Sequence, residues 1–126
     1  MIEDAGGSIV WDDVCTGSRY FDGTIDLYGD IIGSMAERYI ERIHCPAKHN
    51  GLYRRGEHLV RLAKETQADG VLFILLKFCD PHAFDYPYIK GKLEKENIPS
   101  MLYEIEEQTP SEGQFKTRCE AFMEML

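Results

Sequence analysis

The side chains best equipped for chemistry in this chain are a thiol and an imidazole three positions apart. Cys79 and His82 close the segment Leu75-Leu76-Lys77-Phe78-Cys79-Asp80-Pro81-His82. A thiolate is a soft metal ligand and a strong nucleophile. Val71 to Leu76 is an unbroken apolar run, the pattern of a strand covered on both faces. Pro81 cannot continue a ladder, so Cys79 falls where that strand ends. In open α/β sheets the carboxyl edge of the strands is where ligands bind. Cys79-x-x-His82 also has a metal-like spacing, with His44-Cys45 as a conceivable second half; a zinc-stabilised domain would need a fuller paired signature.

A second cluster lies between Asp12 and Arg19. Thr16-Gly17-Ser18 can form a tight turn of hydroxyls and backbone N–H groups that holds a phosphate or carboxylate. Equally, it can be a capped loop with Arg19 paired to Asp12 or Asp13. It has no GxGxxG or Walker A pattern, so nothing here supports a nucleotide site. Cys15 follows its predicted strand much as Cys79 does, and reads as a packed or half-exposed thiol. Cys45 lies in a helix-breaking loop and reads as structural. His82 can orient a ligand, act as an acid or base near neutral pH, or cap the following helix.

Strands and helices must alternate to position these groups, the pattern of an open parallel sheet flanked by helices. Ile9-Val10-Trp11 reads as a first strand. Leu27, Ile31, Met35, Tyr39 and Ile43 recur every four residues, the stripe of a long helix broken by Cys45-Pro46, with a loop over 48–51. A second helix spans about Leu52 to Thr66, with Leu59, Leu62 and Ala63 inward. After the Val71 to Leu76 strand, Pro87 suits the first turn of a helix carrying Ile89 and Leu93. Asn97-Ile98-Pro99 ends that helix. Met101 to Ile105 is the third strand and 109–113 a polar loop. The last helix puts Phe115, Cys119, Phe122 and Leu126 on one face, which makes Cys119 a core thiol.

Helical crossovers force the three strands to run the same way. Three polar clusters then converge at one edge: Asp12 to Arg19, Lys77 to His82, and Glu104 to Gln108, with Gln114, Thr117 and Arg118 opening the last helix beside them. A ligand-binding cleft is the expectation, with Asp12, Thr16, Gly17, Ser18, Arg19, Lys77, His82, Gln114 and Arg118 as substrate-binding candidates.

The 126 residues suit one domain with a single core, and the net charge of −8 argues against nucleic acid or an anionic membrane as main partner. An anionic cofactor would need a local cluster of cations, for which Arg19, Lys48, Arg54 and Arg55 are the candidates. No segment approaches the roughly 18 apolar residues of a membrane span. No basic region followed by an apolar stretch opens the chain, so the expectation is a cytoplasmic location and reduced cysteines.

Three blocks carry a family resemblance: DDVCTGSRYF (Asp12 to Phe21), LLKFCDPH (Leu75 to His82) and GQFKTRCEAFMEML (Gly113 to Leu126). In this order and at this spacing they resemble the C-terminal domain of the 2-hydroxyacyl-CoA dehydratase and benzoyl-CoA reductase family. The resemblance covers nearly the whole chain. It implies a flavodoxin-like domain of a two-subunit iron–sulfur enzyme, each subunit holding a [4Fe-4S] cluster. Cys79 is the one position carried over as a cluster ligand, with Lys77 and nearby amides as donors toward its sulfur. An iron left without a protein thiolate would take water or a substrate carbonyl. The implied reaction adds one electron to an acyl-CoA thioester, so that a ketyl radical expels the 2-hydroxyl and the β-proton becomes acidic. The implied partners are an N-terminal domain of the same subunit, a second dehydratase subunit, an ATP-dependent iron–sulfur activator and the acyl-CoA. Benzoyl-CoA reductases and double-cubane reductases are related branches that the sequence does not separate. A metal-free α/β binding or assembly module is the alternative from a different class.

The chain opens on Ile2-Glu3-Asp4-Ala5-Gly6-Gly7, which reads as a last helical turn with a glycine stop. With the resemblance, this suggests a C-terminal piece of a larger subunit, inactive alone. An uncovered sheet edge would then favour self-association or marginal stability.

Overall fold

The computed structural model of the protein describes residues 2–42, 44–45, 52–106 and 112–126. The loop expected at 48–51, most of that at 109–113, and Ile43, Lys48 and Gln108 lie outside the described residues. In chain order the elements are α1 (Ser18–Phe21), α2 (Ile31–Glu37), α3 (Leu52–Glu65), β1 (Val71–Leu76), α4 (Asp80–Lys95), β2 (Ser100–Ile105) and α5 (Glu112–Met123). A 3-10 turn at Glu3–Ala5 precedes them, and a π-helical turn at Arg38–Arg42 extends α2.

The fold is α/β, built on the β1–α4–β2 crossover. β1 and β2 pair in parallel, from Val71 opposite Ser100 to Leu76 opposite Ile105. Side chains alternate across a strand, so Leu72, Met101, Tyr103 and Ile105 share one face. α5 covers that face: Tyr103, Phe115 and Cys119 form the buried cluster, with Leu72, Met101, Ile105, Ile2 and Ala5 packed against it. The Tyr103 and Phe115 rings meet edge to face at 4.7 Å. On the other face, Phe73 meets Tyr86 of α4 at 5.0 Å. Leu62, Ala63 and the fully buried Leu93 mark the contact between α3 and α4.

The terminal glycine stop forms as expected, with Gly6 at φ 92° and its N–H on the Glu3 carbonyl. The turn it closes is not bare, because Ile2 and Ala5 lie against the α5 core. Phe115, Cys119 and Phe122 are buried in the expected stripe, while Leu126 is half-exposed.

Four local expectations need correction. Ile9-Val10-Trp11 is not a strand; its side chains are about half-exposed and it pairs with neither β1 nor β2. β-branched and aromatic composition favours a pleated surface but cannot replace a ladder partner. The sheet among the described residues therefore has two strands. β1 is not covered on both faces either: α5 lies over the β2 half, leaving Ile74 and Leu76 about half-exposed.

The long helix is shorter than its stripe. It begins at Ile31 because the Asp30 carboxylate accepts from the Ile32 N–H at 3.1 Å, a side-chain cap that leaves Leu27 outside. Ile31, Met35 and Tyr39 remain more than half exposed. Finally, α4 starts seven residues before Pro87. Pro81 occupies its first turn with Asp80, and Pro87 lies within the helix. An early proline lacks only an N–H that would have had no helical partner anyway, so Pro81 is the better starter. Among the described residues no helix is long and apolar enough to cross a membrane.

Candidate functional site

The turn that carries Cys79 is built by the backbone. Lys77 N–H donates to the Ile105 carbonyl at 2.8 Å as the last bond between the β1 and β2 ends, and Cys79 N–H returns to the Leu76 carbonyl at 3.0 Å. Between them Phe78 takes a left-handed φ of 67°, a conformation that costs a non-glycine residue about 1–2 kcal/mol. Cys79 is the N-cap of α4, and its carbonyl accepts from Ala83 N–H at 3.0 Å. Its thiol is half-buried and makes no capping hydrogen bond. Among the described residues the sulfur has no hydrogen-bond partner, and the position is held by its own main chain.

Lys77, Gln114 and Arg118 gather at the end of β2. With Tyr103, Glu104 and Glu106 they line an open cavity of about 490 Å³. Lys77 Nζ pairs with Glu106, which holds the ammonium pKa above its ordinary value. Arg118 lies over the Tyr103 ring, 5.6 Å from its centroid.

The other candidates assemble around the Asp12–Arg19 loop. Asp12 Oδ1 accepts from Ser18 N–H at 3.0 Å and Val14 N–H at 3.2 Å, and the buried Ser18 hydroxyl donates to the Asp12 carbonyl. The Ser18 N–H is the main reason the Asp12 carboxyl lies below its ordinary value. Arg19 forms a fork on Asp13, Nε to Oδ1 at 2.8 Å and Nη2 to Oδ2 at 2.6 Å. Burial disfavours the Arg19 charge, but the Asp13 hydrogen bond and charge outweigh it and leave the guanidinium more firmly protonated. This is the capped-loop reading, with Asp13 as the partner. Thr16 is exposed in the same turn.

Gly17 is fixed by sterics. A Cβ there would overlap both Asp12 Oδ1 and the Val14 side chain. Gly17→Ala should displace the Asp12 carboxylate from Ser18 and lower stability by about 1–3 kcal/mol. The check is a lower urea midpoint at unchanged m-value.

Across the chain, Cys15 Sγ lies 3.6 Å from His82 Nε2 and 3.7 Å from Arg19 Nη1. Cys15 is exposed, not packed. His82 does not cap α4; it lies in the first turn of that helix and points its Nε2 to Cys15. Burial first, and the Arg19 charge second, lower its pKa, which favours the neutral ring. The expected single cleft therefore divides into two groups. Cys15 joins Arg19, at the end of the Asp12–Ser18 turn, to His82, whereas Lys77, Gln114 and Arg118 share the β2-end cavity. With no first strand in the sheet, the Asp12 loop meets the start of α4, just beyond the end of β1, through Cys15 and His82.

Two features carried no sequence signal of their own. Arg55 and Asp85 form a buried ion pair between α3 and α4, with Nε to Oδ2 at 2.5 Å and Nη2 to Oδ1 at 2.7 Å. His44 stacks on His58 with ring centroids 4.2 Å apart. Burial, then the neighbouring His58, depresses the His44 pKa to about 4, and burial chiefly lowers that of His58. A histidine that binds its proton less readily when folded makes the unfolded state the better proton acceptor. Stability should thus be fully present above about pH 6.5 and decline as pH falls toward 4. Urea midpoints measured between those limits should fall, and His44→Gln should flatten the slope.

Among the described residues no three of His, Cys, Asp or Glu come together as a metal site. Cys79 and His82 gain no third donor among the described residues, and His82 lies against Cys15. The described donor set does not by itself complete a four-iron cluster; Cys79 offers one free cysteine sulfur.

The family model for the D-component of 2-hydroxyglutaryl-CoA dehydratase matches residues 1–126. The chain is 33% identical over 126 residues to the (R)-phenyllactyl-CoA dehydratase beta subunit of Clostridium sporogenes, covering 100% of this chain and 33% of that protein. It is 31% identical over 120 residues to the lactoyl-CoA dehydratase subunit beta of Anaerotignum propionicum, covering 94% of this chain and 32% of that one. A benzoyl-CoA reductase subunit of Thauera aromatica is 25% identical over 108 residues, covering 84% and 28%. The chain thus spans about a third of the length of these relatives.

Proposed function

Because the chain belongs to the 2-hydroxyglutaryl-CoA dehydratase D-component family, we propose that it is the cluster-supporting C-terminal domain of a 2-hydroxyacyl-CoA dehydratase subunit. Its contribution is Cys79, one thiolate toward a [4Fe-4S] cluster whose other ligands lie elsewhere in the assembled enzyme. The observation that carries this reading is the Cys79 turn, which presents an uncommitted thiol at the start of α4 beside the end of β1. When bound, such a cluster supplies the electron needed to eliminate water from the acyl-CoA.

What this chain's own residues do is narrower. The backbone of the Leu76–Cys79 turn fixes the sulfur, and Phe78 spends conformational energy to aim it. Lys77, Gln114 and Arg118 present cationic and amide groups to a polar end of the substrate, such as a carboxylate or a thioester oxygen. The partners of this reading are an N-terminal domain, a second subunit and an ATP-dependent activator, in the cytoplasm.

The test is anaerobic reconstitution of the subunit in its complex. Iron, acid-labile sulfide and turnover of 2-hydroxyacyl-CoA are measured together. Cluster iron with dehydration supports the reading; zinc, or a stable metal-free complex with no turnover, removes it. Similarity to the benzoyl-CoA reductase protein favours one second reading, ring reduction, which the same complex would reveal on an aromatic thioester.

A further inference from the structure

The turn before Cys79 carries a side chain that its own backbone disfavours. Among the described residues three non-glycine positions have a left-handed φ: Gln67, Phe78 and Asn97. Gln67 and Asn97 are polar residues just past the ends of α3 and α4, where such a conformation closes a helix. Phe78 follows a strand and precedes a helix, and a bulky aromatic residue in this region is an outlier. Glycine or asparagine would aim Cys79 equally well, so the turn explains the φ of 67° but not the ring. Local packing does not explain it either. Phe78 precedes the N-cap of α4, a position from which an apolar side chain ordinarily folds back onto the fourth helical residue. That residue is Ala83, and the Phe78 side chain stays 96% exposed, the highest value among the described large hydrophobics. On the strand just before it, Leu76 and Ile74 are also about half-exposed.

What covers the ring follows from the ligand count, and here the inference rests on the cluster role proposed for Cys79. The described donor set leaves a cluster incomplete, and the chain spans about a third of the length of its relatives. Whatever supplies the other ligands bonds the same cluster as Cys79, so it must lie against the Cys79 turn. The adjacent ring, projecting into solvent, meets that surface first. A second copy of the chain is the weaker candidate, because two chains of net charge −8 repel one another. We propose that Phe78 is a docking anchor, seated in an apolar pocket on the ligand-carrying surface of the assembled dehydratase, where it keeps water from the Cys79 sulfur. An aromatic side chain on a fixed turn has few rotors to immobilise, and buried aromatic anchors dominate interface energies.

Hydroxyl-radical footprinting, read by peptide mass spectrometry, compares Phe78 in the chain alone with Phe78 in the assembled enzyme stripped of its cluster. Oxidation of Phe78 is expected to be at least about tenfold lower in the enzyme. Equal oxidation in the two would overturn the proposal. So would protection that develops in the chain alone as its concentration rises, because the occupant would then be a second copy. Phe78→Asn keeps the turn and removes the ring. In the chain its urea midpoint should hold or rise, since asparagine tolerates the left-handed region. In the cluster-free enzyme the same variant should let iodoacetamide reach Cys79 at least about tenfold faster, whereas Phe78→Leu, which keeps apolar bulk, should retain most of the protection. An unchanged Cys79 rate in Phe78→Asn counts against the anchor; failure of Phe78→Asn to assemble where Phe78→Leu does counts for it. Iron content separates this proposal from the reading beneath it. Iron bound with Phe78 open removes the anchor alone, and Phe78 protected in an enzyme that binds no iron removes the cluster reading alone.

Discussion

Cys79→Ala in the complete subunit should abolish dehydratase turnover and lower its iron content while leaving the fold in place. The separation of the two effects follows from the turn. Cys79 is positioned by its own N–H on Leu76 and its carbonyl on Ala83, both of which alanine keeps. The thiol makes no capping bond, so its loss removes one half-buried sulfur and should cost roughly 1 kcal/mol or less. A structural cysteine behaves in the opposite way. Cys119, only 2% exposed within the Tyr103–Phe115 cluster, should destabilise the domain on truncation and leave iron untouched in whatever remains folded. Iron, turnover and urea midpoint measured on both variants form the check. Full activity in Cys79→Ala would end the ligand assignment.

The contrast between those two cysteines was already legible in the chain. Cys119 lies between Phe115 and Phe122 at helical spacing, and periodicity alone buries it. Cys79 follows an apolar run and precedes Pro81, so the end of a strand was written just before it. β1, β2, α3 and α5 were readable because each shows a local hydrophobic signal, an apolar run in β1 and an apolar face in the others, and each packs against another such element. Ile9-Val10-Trp11 misled because strand composition is local while a ladder partner is not. Pro87 misled because Pro81 had already supplied the better start for α4. The division of the site in two was beyond sequence reasoning. It depends on where the Asp12 loop lies once no first strand carries it, and the meeting of Cys15 with His82 joins residues 67 positions apart.

Asp85→Ala should lower unfolding free energy by about 3–5 kcal/mol, because it strips a buried guanidinium of its counter-charge. Arg55 and Asp85 are each about 10% exposed at the side chain. Among the described residues, removing the carboxylate leaves Arg55 the weaker Cys45 carbonyl at 3.4 Å from Nη1. For a domain whose whole stability is about 5–15 kcal/mol, the loss is a large share. Replacing both members should behave differently. Arg55→Met with Asp85→Leu buries no charge, and pairs of this kind are neutral or stabilising by about 1–4 kcal/mol. Urea unfolding of the two single variants and the double variant gives the coupling directly. A loss below about 1 kcal/mol in Asp85→Ala would mean that water reaches the guanidinium. Recovery in the double variant would show that apolar packing could hold α3 on α4 equally well. The charges would then have their use elsewhere, and one group that feels them is His82, one helical turn before Asp85. That ring feels both Arg55 and Asp85, so the ion pair adds little net field where the imidazole meets Cys15. Asp85→Ala should therefore drive His82 further below its ordinary pKa, an effect that the apolar pair would not reproduce.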